Sequence, residues 1–297
     1  MNNKNLIIIG SENNVINIVE IKVNNKGNIK VDKKFQILKS SSIMLHSCII
    51  SNNILYILDS FNSVMIRCNL YTNSYCECCT GKDPRHLCKY LDNIYITNFE
   101  SDSVSIVDAD SCTQTGIIKV CMKPHDIISN NDNKIYVSCY EENCILEYDI
   151  TNYNKKYYYI NGKPMHLIID ENRLYVLSYL VNENMQSEIN IINLETGVTD
   201  KTFFIEEITN NFIIDKDNNR LMVLSIEKGR LYIIDINTGE IIKQIHLKGY
   251  LEDVSVDNKY IYIANSNKSS VTLIDKITYE KINTIYFDFQ PLYIKIV

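Results

Sequence analysis

Seven times along this chain an apolar segment ending in a small polar residue recurs, and an Asp, Asn or Glu follows its key position at a near-constant distance. The key position is the Tyr of Leu55-Tyr56-Ile57-Leu58, Ile94-Tyr95-Ile96-Thr97, Ile135-Tyr136-Val137-Ser138, Leu174-Tyr175-Val176-Leu177 and Ile261-Tyr262-Ile263-Ala264, with Ile7 and Met222 in its place elsewhere. Thirteen residues later stand Glu20, Asn69, Asp108, Asp149, Asp235 and Asp275; Asn193 stands eighteen later because of a five-residue insertion. A repeat of about 40 residues carrying four short strands cannot bury its apolar face alone, and stacking such units side by side is how a β-propeller is built. The predicted fold is therefore all-β: a seven-bladed β-propeller of four-stranded antiparallel blades, with residues 1–297 as one domain and no Pro/Gly/Ser-rich linker.

Each unit reads as an inner strand, a second and a third strand, an Asp- or Asn-started turn, and an outer strand. In Asn193-Leu194-Glu195-Thr196-Gly197 and Asp235-Ile236-Asn237-Thr238-Gly239 the leading side chain accepts backbone N–H bonds inside the turn, and Gly supplies positive φ. The recurring carboxylates and amides, Glu20 included, are thus read as structural. The chain ends complete each other: Leu6-Ile7-Ile8-Ile9 is a second-strand pattern with no inner strand ahead of it. Pro291-Leu292-Tyr293-Ile294-Lys295-Ile296-Val297 is an inner-strand pattern with nothing behind it. The last strand is expected to complete the first blade and close the ring, which leaves no long unpaired edge.

A net charge of −6 argues against bulk nucleic-acid binding, which needs a basic face to neutralise phosphates. The start has only four consecutive apolar residues, too short for a signal-peptide core, and no stretch approaches the ~20 apolar residues of a membrane span. A cytoplasmic location is expected, with a spore coat or cell surface as the alternative. All ten cysteines lie between Cys48 and Cys144. Cys76, Cys78 and Cys79, with Cys68 before them and Cys88 after, mark the outer hairpin of the second blade. Three readings stay open: simple reduced thiols, disulfides that link an assembly, or a thiolate metal site. The spacing is not the paired C-x-x-C arrangement of a zinc site.

Tyr95-Ile96-Thr97-Asn98 and Tyr262-Ile263-Ala264-Asn265, followed by Val104-Ser105-Ile106-Val107-Asp108 and Val271-Thr272-Leu273-Ile274-Asp275, resemble the YVTN-type seven-bladed propeller repeat. The segments Gly81 to Pro84 and Gly162 to Pro164 share that resemblance. It implies a binding platform, since related propellers include binding and surface proteins, sensors and a few lyases. In such propellers inner-strand starts and second-strand ends meet on one face around a channel. Counting from the Pro of the inner strand, or from the equivalent position where no Pro stands, the second residue gives Ser47, His86, Asp126, His166, Phe212, Asp253 and Tyr293. Second-strand ends give Gly10, Asp59, Asn98, Cys139, Ser178, Ser225 and Asn265.

Four of the five histidines, His46, His86, His125 and His166, fall at the same point of four successive repeats. Imidazole suits both metal ligation and proton transfer near neutral pH. Ligand-binding candidates are therefore His46, His86, His125, Asp126, His166, Asp253 and Tyr293, and His86, His125, Asp126 and His166 are the candidates for a divalent metal. The leading expectation is a non-catalytic scaffold that binds a protein partner or small ligand at the His-bearing face. The alternative is a metal-dependent lyase or hydrolase using His86, His125, His166 and Asp126. The insertion around residues 179–187 reads as a lid or a tolerated surface loop, and Tyr157-Tyr158-Tyr159 as a protein contact. The Gly-x-Ser-x-Gly, P-loop and Rossmann patterns are absent.

Overall fold

The computed structural model describes residues 4–130, 132–181, 186–225 and 228–297. It contains seven four-stranded antiparallel sheets, the blades of a β-propeller, numbered 1 to 7 in chain order. No helix among the described residues is long and apolar enough to cross a membrane. The chain divides into two compact units: Met1–Ser42 with Glu207–Val297, and Ile43–Glu206.

The first unit holds blades 1, 6 and 7. Blade 1 contains Lys4–Glu12, Val15–Val23 and Ile29–Leu38, and its inner strand is the C-terminal Gln290–Ile296, as the two chain ends imply. The pairing runs Leu6↔Ile296, Ile8↔Ile294 and Ile9↔Tyr293, then shifts at Gly10↔Pro291. At that shift a Cβ on Gly10 would overlap the Gln290 carbonyl oxygen and reach Phe289 Cδ2 at 2.7 Å, so only glycine lets the two strands meet. Ile294 is fully buried with Leu6, Ile8, Tyr262 and Phe289, so the last strand of the chain lies in the core between blades 7 and 1. Blade 6 comprises Thr209–Asp215, Arg220–Ser225, Arg230–Asp235 and Ile241–His246; blade 7 comprises Leu251–Val256, Tyr260–Asn265, Ser270–Asp275 and Lys281–Tyr286.

The second unit holds blades 2 to 5. Their strands are Leu45–Ser51, Ile54–Asp59, Val64–Asn69 and Tyr75–Cys79 in blade 2, and Pro84–Tyr90, Asn93–Asn98, Ser103–Asp108 and Thr113–Lys119 in blade 3. Blade 4 has Pro124–Ser129, Lys134–Cys139, Cys144–Asp149 and Lys155–Tyr159, and blade 5 has Lys163–Asp170, Arg173–Leu180, Gln186–Asn193 and Thr199–Ile205. Second strands are apolar on both faces, and neighbouring blades of the same unit press on them. The key tyrosines show how: Tyr56 packs on Leu87, Ile94 and Ile96 of blade 3, and Tyr136 on Leu167, Leu174 and Val176 of blade 5. Each such buried side chain contributes roughly 1.5–3 kcal/mol. Outer strands alternate because one face meets water: Thr113–Lys119 has only its Gly116 and Ile118 partly covered.

The turn reading holds at six of its seven positions. Asn69, Asp149, Asn193, Asp235 and Asp275 each accept two successive turn N–H groups through Oδ1, and Asp108 accepts that of Ser111 at 2.8 Å. Glu20 is the exception. It lies inside a strand, paired with Ile7 and Lys33, because the strands of blade 1 are longer. Asn24 makes the turn instead, accepting from Lys26 and Asn28 N–H at 2.9 and 3.0 Å.

Ile294→Ala is expected to destabilise the protein by about 2–5 kcal/mol, the range for emptying a packed aliphatic site. Deleting residues 290–297 should abolish the cooperative transition in thermal melts followed by circular dichroism. A deletion variant with an unchanged midpoint would show that the C-terminal strand is dispensable.

Candidate functional site

The site is made by a defect repeated in inner strands. Pairing with the second strand skips just after one residue, the lead residue of a bulge: between Leu45 and Ser47, Pro84 and Leu87, Pro124 and Ile127, Pro164 and His166, Thr209 and Asn211, and Leu251 and Val254. A bulge bends the strand and re-aims its side chains. The first position after the lead residue holds His46, Arg85 and His125 in blades 2 to 4, and the second holds His86, Asp126 and His166 in blades 3 to 5. In blade 6 the lead residue is Thr209, so the second position is Asn211 and not the expected Phe212, which is a buried core residue.

The four imidazoles converge within the second unit. Ring centres lie 5.4 Å apart for His46–His86, 5.5 Å for His46–His125, 5.0 Å for His86–His125, 4.9 Å for His86–His166 and 5.3 Å for His125–His166. Four imidazoles on one tetrahedral ion, with nitrogen–metal bonds of about 2.0–2.1 Å, place their ring centres about 5 Å apart. Among the described residues, two groups have donor atoms within 4.8 Å of one another: His46, His86 and His125, and His86, Asp126 and His166.

Bonds to the backbone hold the bulges in place and set the tautomer of His125. Thr97 Oγ1 accepts the His86 N–H at 3.0 Å and donates to the His125 carbonyl at 2.7 Å. One blade on, Ser138 Oγ accepts the Asp126 N–H at 2.7 Å and donates to the Met165 carbonyl at 3.2 Å. These hydroxyls, next to last in their second strands, tie each bulge to the next blade. The Met165 carbonyl lies 3.0 Å from His125 Nδ1. A carbonyl only accepts, so Nδ1 carries the proton and Nε2 keeps its lone pair, as in a metal ligand oriented by its outer shell.

Asp126 is first of all a structural clamp. Its Oδ1 accepts the Ile127 N–H at 2.7 Å and its Oδ2 the Leu167 N–H of blade 5 at 2.8 Å. So anchored, its oxygens face Nδ1 of His86 at 3.4 Å and Nδ1 of His166 at 3.5 Å. That contact turns both Nε2 atoms away from the carboxylate. Asp253, in the first unit, clamps in the same way, accepting from Val254 and Ile294 N–H at 3.0 and 2.9 Å, and also holds Lys295 Nζ at 3.1 Å. Tyr293 lies under Lys295 Nζ, 5.7 Å from its ring centre, and is only half-buried. Asp253 and Tyr293 are therefore accounted for inside their own unit.

The residues expected at the ends of the second strands are also internal, although the strands of blades 1 and 5 run two residues past Gly10 and Ser178. Asp59 accepts from Met44 N–H and Asn62 Nδ2, Asn98 donates to Ser103 and Ser105, Ser178 to Glu188, Ser225 to Glu207 and Asn265 to the Lys248 carbonyl. Cys139 is bonded to Cys121. Of the expected cysteine sector, Cys68 and Cys88 are buried among core side chains, while Cys76, Cys78 and Cys79 share the outer strand of blade 2. Residues 182–185 of the insertion lie outside the described residues. Tyr157 and Tyr159 stack on the exposed face of their strand with ring centres 6.4 Å apart, and Tyr158 turns inward to Glu147 at 2.5 Å.

Sequence reasoning passed over Arg85, although it sits at the same bulge position as His46 and His125. Its guanidinium lies 4.7 Å from the Phe99 ring centre, and Phe99 packs edge-on to His125 at 6.2 Å. It pairs with Asp83 at 2.6 Å, while its buried Nε–H has no hydrogen-bond partner among the described residues. Burial pulls His46 down to about 3, with Arg85 and His166 adding to the effect. Burial likewise holds His125 well below the ordinary imidazole value, reinforced by His166, His46 and Arg85 and opposed by its bond to the Met165 carbonyl. Both rings are neutral at physiological pH.

No family model matches the chain, and no curated protein matches it either. Solved structures do resemble it. A 6-phosphogluconolactonase-like protein from Bacteroides fragilis superposes with a TM-score of 0.76 at 15% identity, covering 99% of this chain and 98% of that one. AztD from Citrobacter koseri gives 0.70 at 14% identity over 100% and 98%. Part of the hydrazine synthase of Kuenenia stuttgartiensis gives 0.68 at 21% identity over 75% and 73%. The chain is thereby placed in the structural class of seven-bladed β-propellers. At these identities the likeness concerns the fold alone, and the YVTN-type resemblance rests on the strand sequences that carry it.

The low proton affinity of His46 and His125 sets a sign for acid stability. Folded-state values below the free-imidazole value of 6.5 mean that the unfolded chain binds more protons. The contribution is intact above that value and is lost as pH falls from there through the folded value near 3 for His46. With His86, His166, Arg85 and Asp126 left in place, a His46→Gln/His125→Gln variant in chelator should lose less melting temperature than wild type between about pH 7 and about pH 5. Equal losses would mean that neither ring resists protonation.

Proposed function

We propose that this propeller is a binding protein whose second unit captures a divalent transition-metal ion between His46, His86, His125 and His166. The observation that carries the reading is the 4.9–5.5 Å spacing of five of the six pairs among the four ring centres. Neutral imidazole is a ligand for zinc, copper, nickel and iron, whereas magnesium and calcium need an oxygen cage. Two features support preorganisation: the Met165 carbonyl holds His125 in the tautomer that presents Nε2, and Asp126 faces the Nδ1 side of His86 and His166. Outer partners of this kind orient imidazole ligands and raise their basicity. Four protein nitrogens fill a tetrahedral shell, which favours holding the ion over using it, because catalytic sites keep a position open for water.

A second reading, the metal-dependent lyase or hydrolase, draws on Arg85. If only three of the imidazoles engage, the fourth position is open, and a guanidinium beside His46 and His125 is suited to an anionic substrate.

Both groups of donors share His86, so its loss distinguishes metal binding from mere proximity. Protein purified without a histidine tag and dialysed against zinc should hold one equivalent by plasma emission spectrometry. His86→Ala should weaken binding by at least about 100-fold in chelator competition, while His246→Ala in an exposed outer strand should change nothing. Cobalt(II) substitution should give the intense visible bands of a tetrahedral ion for binding, or the weaker bands of higher coordination for the hydrolytic reading. Wild-type protein that takes up no stoichiometric metal would overturn both.

A further inference from the structure

The outer strand of blade 2 carries Cys76 and Cys78 two residues apart, hence on one face, and Cys79 on the other. The shared face meets the turn of blade 3 that follows Asp108, where Cys112 is buried with φ of 55°. Cys78 packs against the apolar cluster that contains Cys112, Ala109, Leu58 and Met65. The Cys112 thiol lies close enough to those of Cys78 and Cys76 to perturb the proton affinity of both. Arg67, paired across the strand with Cys76, is held over this turn by its Nε–H bond to the Ala109 carbonyl at 2.8 Å. Three thiols and a guanidinium therefore meet where two blades touch, and Cys112 lies outside the sector that the sequence pattern marked.

The two thiols of the central pair are unequal. Cys78 is half-exposed, and its proton affinity is lowered first by the neighbouring Cys112 thiol and further by the Met65 backbone. Cys112 is pushed strongly upward, first by the neighbouring Cys78 thiol and then by burial. Cys76 is raised, chiefly by burial. An accessible thiolate backed by a protonated, buried thiol is the division of labour that thiol–disulfide exchange requires.

We propose that Cys78 and Cys112 form a thiol–disulfide exchange site for low-molecular-weight disulfides, with Cys78 attacking and Cys112 resolving. The Cys78 thiolate attacks one sulfur of a small disulfide RSSR, forming a mixed disulfide and releasing RS⁻. Cys112 then gives up its proton, attacks the Cys78 sulfur and expels the second RS⁻. Two thiol protons and two RS⁻ leave as two RSH, the small disulfide is reduced by two electrons, and the protein gains a Cys78–Cys112 bond. That bond fastens the edge strand of blade 2 to blade 3, a crosslink distinct from the Cys121–Cys139 pair.

Oxidised glutathione is a suitable probe. After acid quench, alkylation and digestion without reductant, wild-type protein should yield a Cys78–Cys112 peptide by mass spectrometry. Cys112→Ser should instead trap glutathione on Cys78, and Cys78→Ser should give neither product. Cys79, exposed on the same strand, is the internal control: under limiting iodoacetamide Cys78 should be alkylated several-fold faster in the unmodified protein, a measurement that does not depend on the variants folding. Equal alkylation of the two, or glutathione on Cys76 and Cys79 with no Cys78–Cys112 peptide, would overturn the assignment.

Discussion

The bond that most of the site depends on runs from one inner strand to the next, from the side chain two places after the lead residue of the bulge. Asp126 accepts it from the Leu167 N–H and Asp253 from the Ile294 N–H, while Asn211 donates to the Glu252 carbonyl and the Asp253 carboxylate. A bulge removes backbone groups from the ladder, and a buried group left without a partner costs about 1–3 kcal/mol. Carboxylate or amide at this position satisfies its own strand and its neighbour's at once. Thr97 and Ser138 complete the arrangement from the second strands, so the backbone that bears the imidazoles is bonded on both sides before any ligand arrives.

This arrangement explains why a structural carboxylate can be part of a site. Asp126 is held by two N–H groups, and its remaining acceptor capacity faces His86 and His166. Orientation of the rings is a consequence of how blades 4 and 5 are joined. Two other buried polar groups have no such surplus. Glu188 takes bonds from Gly162, Ser178 and Asn190, and Lys276 is enclosed by Asp215 and Asp217. Burial of a polar group is thus a weak sign of function here. A ring with one nitrogen engaged and the other carrying a lone pair is a stronger one.

Where the sequence pattern was readable, a local rule governed the residue. Asp149 and Asp235 follow the turn rule because the bonds they accept come from residues two and three positions on. Glu20 escaped it because strand length in blade 1 is set by packing, which a count from Ile7 does not see. Phe212 was placed one residue away from Asn211 because blade 6 has no proline to mark its bulge. The cysteine sector was legible as a cluster, yet the partner that matters, Cys112, stands in a different blade. Its approach to Cys78 is a contact between repeats and leaves no mark on spacing within one.

By itself the sequence determined the number of blades, the place of six of the seven turns and the joining of its own ends, because each follows from a period, a hydrogen-bonding side chain or an interrupted pattern along the chain. It also marked four histidines within one residue of the same point in four successive repeats, which the structure resolves into two adjacent bulge positions. Only the tertiary structure decided that they meet, that Asp126 is a clamp before it is anything else, and that His125 presents Nε2. Those outcomes depend on bulge geometry and on bonds between successive blades, where residues about 40 positions apart become neighbours.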